Sequence, residues 1–383
     1  MLSESRPSSS SETSNDSSSA SVTNDPLTIG SSDNSTMGAR RTSGQGPLRR
    51  DWPLLPWPRG PLSATVIAAL NRNPGTLGNT PPVVDVDALS DDDFTLALYL
   101  CYEVHYRGAT DSRWEWDPAL LTFRAELERA FEDRLRDEVK PAAPRFPFEV
   151  ASVLNELLVS PSSSPSLSNY LLELGTLDQF REFCVHRSAY QLKEADPHTF
   201  AIPRLTGEAK AAMVEIQYDE YGSGDASSMH ATLFGDTLTA LGLDPSYGSY
   251  VEVLPGVTLA SVNLVSKFGL HRRWRAALVG HLAAFEMTSV IPMGRYSKAL
   301  ERLGIGPRGR RFYDVHVDAD ERHAAIARDR LVVGLIRSEP ELGADMLFGA
   351  AALMLLERRF SEYLLSAWAD NRSSLVPWEM SLP

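Results

Sequence analysis

The chain has 383 residues, 43% of them hydrophobic, enough to build one large or two small apolar cores. Its formal net charge of −13, with no basic patch beyond the isolated Arg49-Arg50, argues against nucleic acid as a partner. The two cysteines, Cys101 and Cys184, sit in apolar helical runs, which excludes a disulfide framework and suits a reducing compartment. No run of 18 or more apolar residues stands out and no N-terminal stretch has signal-peptide character, so the expectation is a soluble cytoplasmic protein with no membrane partner.

Residues 1–47 are mostly Ser, Thr, Asn, Asp and Gly, with 14 serines in the first 35 positions. Such a stretch cannot bury enough apolar surface to offset its ordering entropy, and it is expected to be disordered. Met37 near its end offers an alternative start. The Pro- and Trp-rich stretch 51–82 reads as an extended arm. Ser90 is the expected N-cap of a helix from Phe94 to Arg107, with Asp91, Asp92 and Asp93 in its first turn and Gly108 as its stop. Helices follow at 118–139 and 148–158. Residues 48–165 thus read as an arm and a helical subdomain. Trp114, Trp116, Tyr102 and Tyr106 suit an interface with the rest of the chain or with a second copy in a homodimer. Glu103 and His105, two apart, point to different faces and read as structural polar residues.

The Ser/Pro-rich stretch 160–168 reads as a linker. Beyond it the pattern predicts helices near 168–195, 205–221, 226–241, 257–289, 294–303, 312–336 and 338–369. The breakers between them are Pro197, Gly222, Gly224, Pro245, Pro255, Pro292 and Pro307. No period-2 runs and no fixed repeat appear. The fold class is all-α, an up-down helical bundle over residues 166–375 with the N-terminal helices attached.

The chemistry gathers on the helical stretch Phe312–His323. His316, Asp320 and His323 stand at i, i+4 and i+7 and share one face over two turns. Two imidazoles and a carboxylate on one stripe suit a first-row metal; the plainer alternative is a solvated polar face. Glu220 and His230, ten apart, share a face if the helix runs on or restarts past Gly222 and Gly224; taken singly they read more simply as a polar helix end. Glu286 lies on a helix that is apolar nearly all round, so it needs a partner charge or a metal. His281 on the same helix reads as a satisfied core histidine. Carboxylates and histidines on at least three helices match the ligand set of di-iron carboxylate bundles.

Glu220-x9-His230, the lone buried Glu286 and His316-x3-Asp320-x2-His323, in that order, resemble the haem-oxygenase-like di-iron oxidases. The runs Leu98–Gly108 and Gly280–Ser289 add to the likeness, which covers about residues 90–370. The resemblance implies two Fe(II) ions per chain that bind O2 and oxidise a small organic substrate by N-oxygenation, desaturation or oxidative C–C cleavage. It implies Glu220, His230 and Glu286 on one iron. His316, Asp320 and His323 take the other, with a carboxylate from the first core helix. For that carboxylate the resemblance points to Glu194, with Glu182 and Glu215 left as alternatives. No catalytic residue beyond the metal ligands is implied. A haem site would leave the clustered ligands unexplained, and Cys184 has no clear base beside it. The competing expectation is a non-catalytic helical binding or scaffold protein that keeps the fold.

Overall fold

The computed structural model describes residues 55–377 apart from 85, 109, 141–145 and 160–165, and gives no side chains at 147, 318 and 320. The Ser-rich tail, Arg49-Arg50, the start of the arm and most of the linker lie outside the described residues. Among those described, every regular element is helical.

The arm contains a helix that the Pro- and Trp-rich composition hides. Helix α1 (Pro61–Leu70) starts with proline in its first turn, where the missing N–H costs nothing. Its free backbone donors are met from outside: the Asp93 carboxylate accepts from Leu62 N at 2.9 Å, Ser63 N at 2.7 Å and Ser63 Oγ at 2.5 Å. Helix α2 (Asp92–Glu103) is capped by Asp91, which accepts from Phe94 N, rather than by Ser90, and it ends a turn earlier than the spacing predicts. Then come α3 (Pro118–Glu138) and α4 (Val150–Val159).

The predicted helix over 168–195 is three pieces: α5 (Leu167–Glu173), α6 (Leu177–Gln191) and the single turn α7 (Asp196–Thr199). A capping box between Thr176 and Gln179 starts α6 afresh and fixes the break. Helices α8 (Gly207–Glu220) and α9 (His230–Ala240) flank the glycine-bearing turn 222–224. The predicted helix over 257–289 divides at Arg272–Trp274 into α10 (Gly256–Leu270) and α11 (Arg275–Arg302). Pro292 does not end α11. It lies inside the helix and lines a cavity together with Thr288, so the carbonyl that loses its N–H partner is not sealed in packed core. Helix α12 (Pro307–Ile326) passes through a π-helical turn, Ala327–Val332, into α13 (Val333–Ser338), and α14 (Gly343–Ala369) closes the chain.

One large apolar cluster runs from α1, α2 and α3 through α8, α10, α11 and α14. A smaller aromatic cluster, with Phe180, Phe183, Tyr296, Phe312 and Tyr313, joins α6, α9, α11 and α12. Helix α11 is central and packs chiefly on α14 and α12. It is the one described helix that is long and apolar enough to cross a membrane by length and composition, and 61% of that window is buried inside the bundle.

Its crossing with α14 leaves no room for side chains. A Cβ on Gly280 would fall on the Met346 carbonyl, and one on Gly349 on the Ala277 carbonyl. Because backbone rather than a flexible side chain fills the space, Gly349→Ala is expected to cost about 1–3 kcal/mol and to lower Tm by roughly 2–4 °C per kcal/mol. An unchanged Tm in calorimetry would show that the two helices separate freely.

Two buried histidines tie stability to pH. Burial pushes His186 and His281 down to about 3. Between that value and about 6.5 the unfolded chain binds protons at these positions and the folded one does not. Their contribution is therefore complete above about pH 6.5 and lost as pH falls, by about 2 kcal/mol each at pH 5. Urea unfolding at pH 7.5, 6 and 5 should show this decline, and His186→Gln should flatten it.

Candidate metal centre

Six side chains from five segments meet in the core. Glu194 comes from the turn after α6, Glu220 from the last residue of α8 and His230 from the first of α9. Glu286 comes from the middle of α11, and His316 and His323 from α12. All six are buried, none more than 7% exposed. Their ligand atoms form two groups, Glu194–Glu220–His230–His316 and Glu220–Glu286–His323, and within each group the atoms lie within 4.8 Å of one another. Glu220 belongs to both.

The glycine turn explains how α8 and α9 deliver Glu220 and His230 to one place. Gly222 has a φ of 68°, and a Cβ there would overlap the backbone of Ser228 and Met229. The chain doubles back tightly, so Glu220 Oε2 lies 2.6 Å from His230 Nδ1. The His230 and His316 rings are 4.2 Å apart, and His316 Nε2 lies 3.9 Å from Glu194 Oε1. On the other side, His323 Nδ1 lies 3.4 Å from Glu220 Oε1 and 3.5 Å from Glu286 Oε2.

Two ring nitrogens carry external partners that aim the opposite edge at the cluster. His316 Nδ1 bonds the Phe312 carbonyl at 2.6 Å, which leaves Nε2 facing Glu194. His323 Nε2 bonds Asp219 Oδ2 at 3.1 Å, and Asp219 also accepts from Arg322 at 2.5 Å. Such outer partners fix the tautomer and orientation of metal-bound histidines. Asp219 was not visible as a functional residue in the sequence, because its partner is about a hundred positions away.

The electrostatics follow the grouping. Burial pushes the Glu220 carboxyl up, but His230, His323 and His316 outweigh it and hold the group far below the carboxylate range. Burial raises the Glu286 carboxyl. Burial alone would lower His323, yet its bonds to Glu220 and Glu286 carry it to about 11. Burial brings His316 down to about 4.

The structure separates the three carboxylates that competed for the first-helix role. Glu182 accepts from Ser374 and Trp368, Glu215 pairs with Arg330, and Glu194 joins the cluster. The grouping differs from the one the resemblance implies. His316 falls with Glu220 and His230, and Glu286 falls with His323. Two turns of helix separate His316 from His323, so each serves a different flank of Glu220. Asp320 lies on α12 between them, and its side chain is outside the described residues. His281 is a core residue whose Nδ1 lies 3.0 Å from His198 Nε2.

The donor set fits iron. His230 Nδ1 faces Glu220, and His323 Nδ1 faces Glu220 and Glu286, so each buried imidazole edge is set against carboxylates that a cation would share with it. Mixed imidazole and carboxylate ligands are what non-haem iron takes. If Asp219 orients His323 for a metal, Asp219→Asn should weaken Co(II) binding about 10- to 100-fold with little change in Tm. Equal Co(II) affinity in the variant would rule that role out.

Of the comparisons with known proteins, the family match speaks to this chemistry. Residues 181–358 match the family described as iron-containing redox enzymes. Over 190 residues the chain is 25% identical to the nitrosourea synthase of Streptomyces achromogenes subsp. streptozoticus, an alignment covering 48% of this chain and 40% of that protein. The chain therefore spans less than half the length of that curated relative. A solved CADD-like protein of unknown function from Nostoc punctiforme superposes with a TM-score of 0.47 and 18% identity, over 57% of this chain and 97% of that one.

Proposed function

We propose that this chain, whose residues 181–358 match the iron-containing redox enzymes, is a non-haem di-iron oxidase or oxygenase acting on a small organic molecule. The observation that carries the reading is the pair of buried ligand groups joined at Glu220. Glu194, His230 and His316 would serve one iron, and Glu286 and His323 the other. Glu220 is common to both groups and would serve both, with Asp320 proposed as a further ligand from α12. Iron held there would supply the electrons that reduce O2 and the oxidising power directed at the substrate.

The protein's own part is to hold, orient and keep dry. Glu194, Glu220 and Glu286 would offset three of the four positive charges of two divalent cations, and their burial would keep bulk water from the site. The pocket holding Glu194, Glu220, Glu286 and His316 is also lined by Tyr190, Phe285 and Ser289. Those three residues also line a neighbouring cavity of about 660 Å³. That volume suits a small organic substrate. It contains the Arg187–Glu357 pair as well as apolar side chains, so a substrate with both polar and apolar parts is favoured. Tyr190, Phe285 and Ser289 stand where a bound molecule would meet the metal pocket.

Anaerobic loading with Fe(II) should give about two irons per chain, the usual content of such carboxylate bundles. His316→Ala and Glu286→Ala should each lower that content and abolish substrate-triggered O2 uptake. Variants that bind as much iron as the parent would sink the proposal and favour a scaffold that keeps only the fold.

A further inference from the structure

We propose that the helices preceding the matched stretch position the ligand Glu194 through a buried clamp between Glu103 and Lys193. The inference rests on reading Glu194 as a metal ligand. Lys193 is 0% exposed. Its ammonium pairs with Glu103 Oε1 and lies 4.2 Å from the centre of the Tyr106 ring and 5.3 Å from that of Tyr99. Tyr247 Oη donates to the other Glu103 oxygen at 2.5 Å. Glu103 is the last residue of α2, and Tyr99 lies one turn earlier.

Glu194 is the next residue after Lys193. Ala195 follows with a φ of 74°, a left-handed conformation that alanine rarely adopts. Asp196 then accepts from Tyr221 Oη at 2.9 Å and lies 3.8 Å from Arg107. Glu194 is thus held between two tethers, one to Glu103 at the end of α2 and one to Arg107 just beyond it. One neighbour turns toward α2 while the ligand faces the metal pocket, and the strained alanine persists because the tethers over-determine it. A buried ion pair is a weak source of stability, since desolvation consumes most of the attraction. It is well suited to holding one conformation. Glu103, Tyr99, Tyr106 and Arg107 all precede residue 181, where the family match begins.

The test compares the parent with Glu103→Gln/Lys193→Met, which removes both charges together and leaves no unpaired ion in the core. Co(II) serves as the probe, read by its d–d absorption and by competition titration, alongside Tm and amide exchange of residues 192–196 in the metal-free protein. The clamp predicts at least tenfold weaker Co(II) binding, an altered d–d spectrum and at least tenfold faster exchange in that segment, with Tm within a few degrees of the parent. Parent-like affinity, spectrum and exchange overturn it, as does a fall in Tm with the Co(II) readouts unmoved. Should the double variant not fold, Tyr247→Phe removes only the phenol bond to Glu103. A two- to fivefold loss of Co(II) affinity with faster exchange is then expected, and no change in either overturns the clamp. If the parent itself binds no Co(II), the metal reading fails, and the exchange of residues 192–196 alone decides the clamp.

Discussion

Three carboxylates share one buried space with three imidazoles, and the rest of the structure is arranged around that constraint. An ionised carboxylate away from water is costly unless positive charge or hydrogen bonds compensate. Glu194, Glu220 and Glu286 are at most 7% exposed, so their charge must be met inside the protein. Without a metal, the local answer is a proton on His323, which the bonds from Glu220 and Glu286 hold to about 11 against the effect of burial. A divalent cation at each ligand group would do the same work more fully and would free the ring nitrogens to act as ligands.

The bundle meets the geometric half of the problem with rigid elements. Glu286 sits in the middle of α11, and Gly280 and Gly349 let that helix lie against α14 with backbone touching backbone. Close packing of this kind fixes where the carboxylate can be. His316 and His323 ride on α12, whose helical rise places them on the two flanks of Glu220. The π-helical turn Ala327–Val332 begins four residues after His323, past the end of α12 at Ile326, and changes the helical register there.

What the sequence revealed depended on how local the signal was. The all-α class and most helix positions could be read from apolar spacing, because each helix writes its own pattern. Helix α1 could not, since its cap comes from Asp93, about thirty residues away. The break before α6 was marked by Thr176 and Gln179, but an apolar run on both sides masked it. Pro292 was misleading because a cavity, not packed core, lies beside it. In the centre, His316 and His323 were legible as one stripe on one helix. The choice of Glu194 over Glu182 and Glu215 followed from the likeness and from spacing ahead of Glu220, not from its physical cause. That cause lies with Ser374, Trp368 and Arg330, which occupy the competitors from distant parts of the chain. Asp219 was invisible for the same reason.

The same distinction bears on where the functional unit begins. A family match starting at residue 181 covers Glu194, Glu220, His230, Glu286, His316 and His323, so a ligand inventory finds nothing missing. Yet α1, α2 and α3 lie in the same apolar cluster as α10, α11 and α14. The turn carrying Glu194 has little regular structure of its own: α6 ends at Gln191, and α7 is a single turn. A ligand on so short a turn must take its rigidity from neighbours. Its neighbours are Glu103 and Arg107, together with Tyr221 and Tyr247 from the matched stretch. On the proposed reading, the matched stretch would carry the ligand set while residues ahead of it, Glu103 and Arg107, would help to order the first carboxylate.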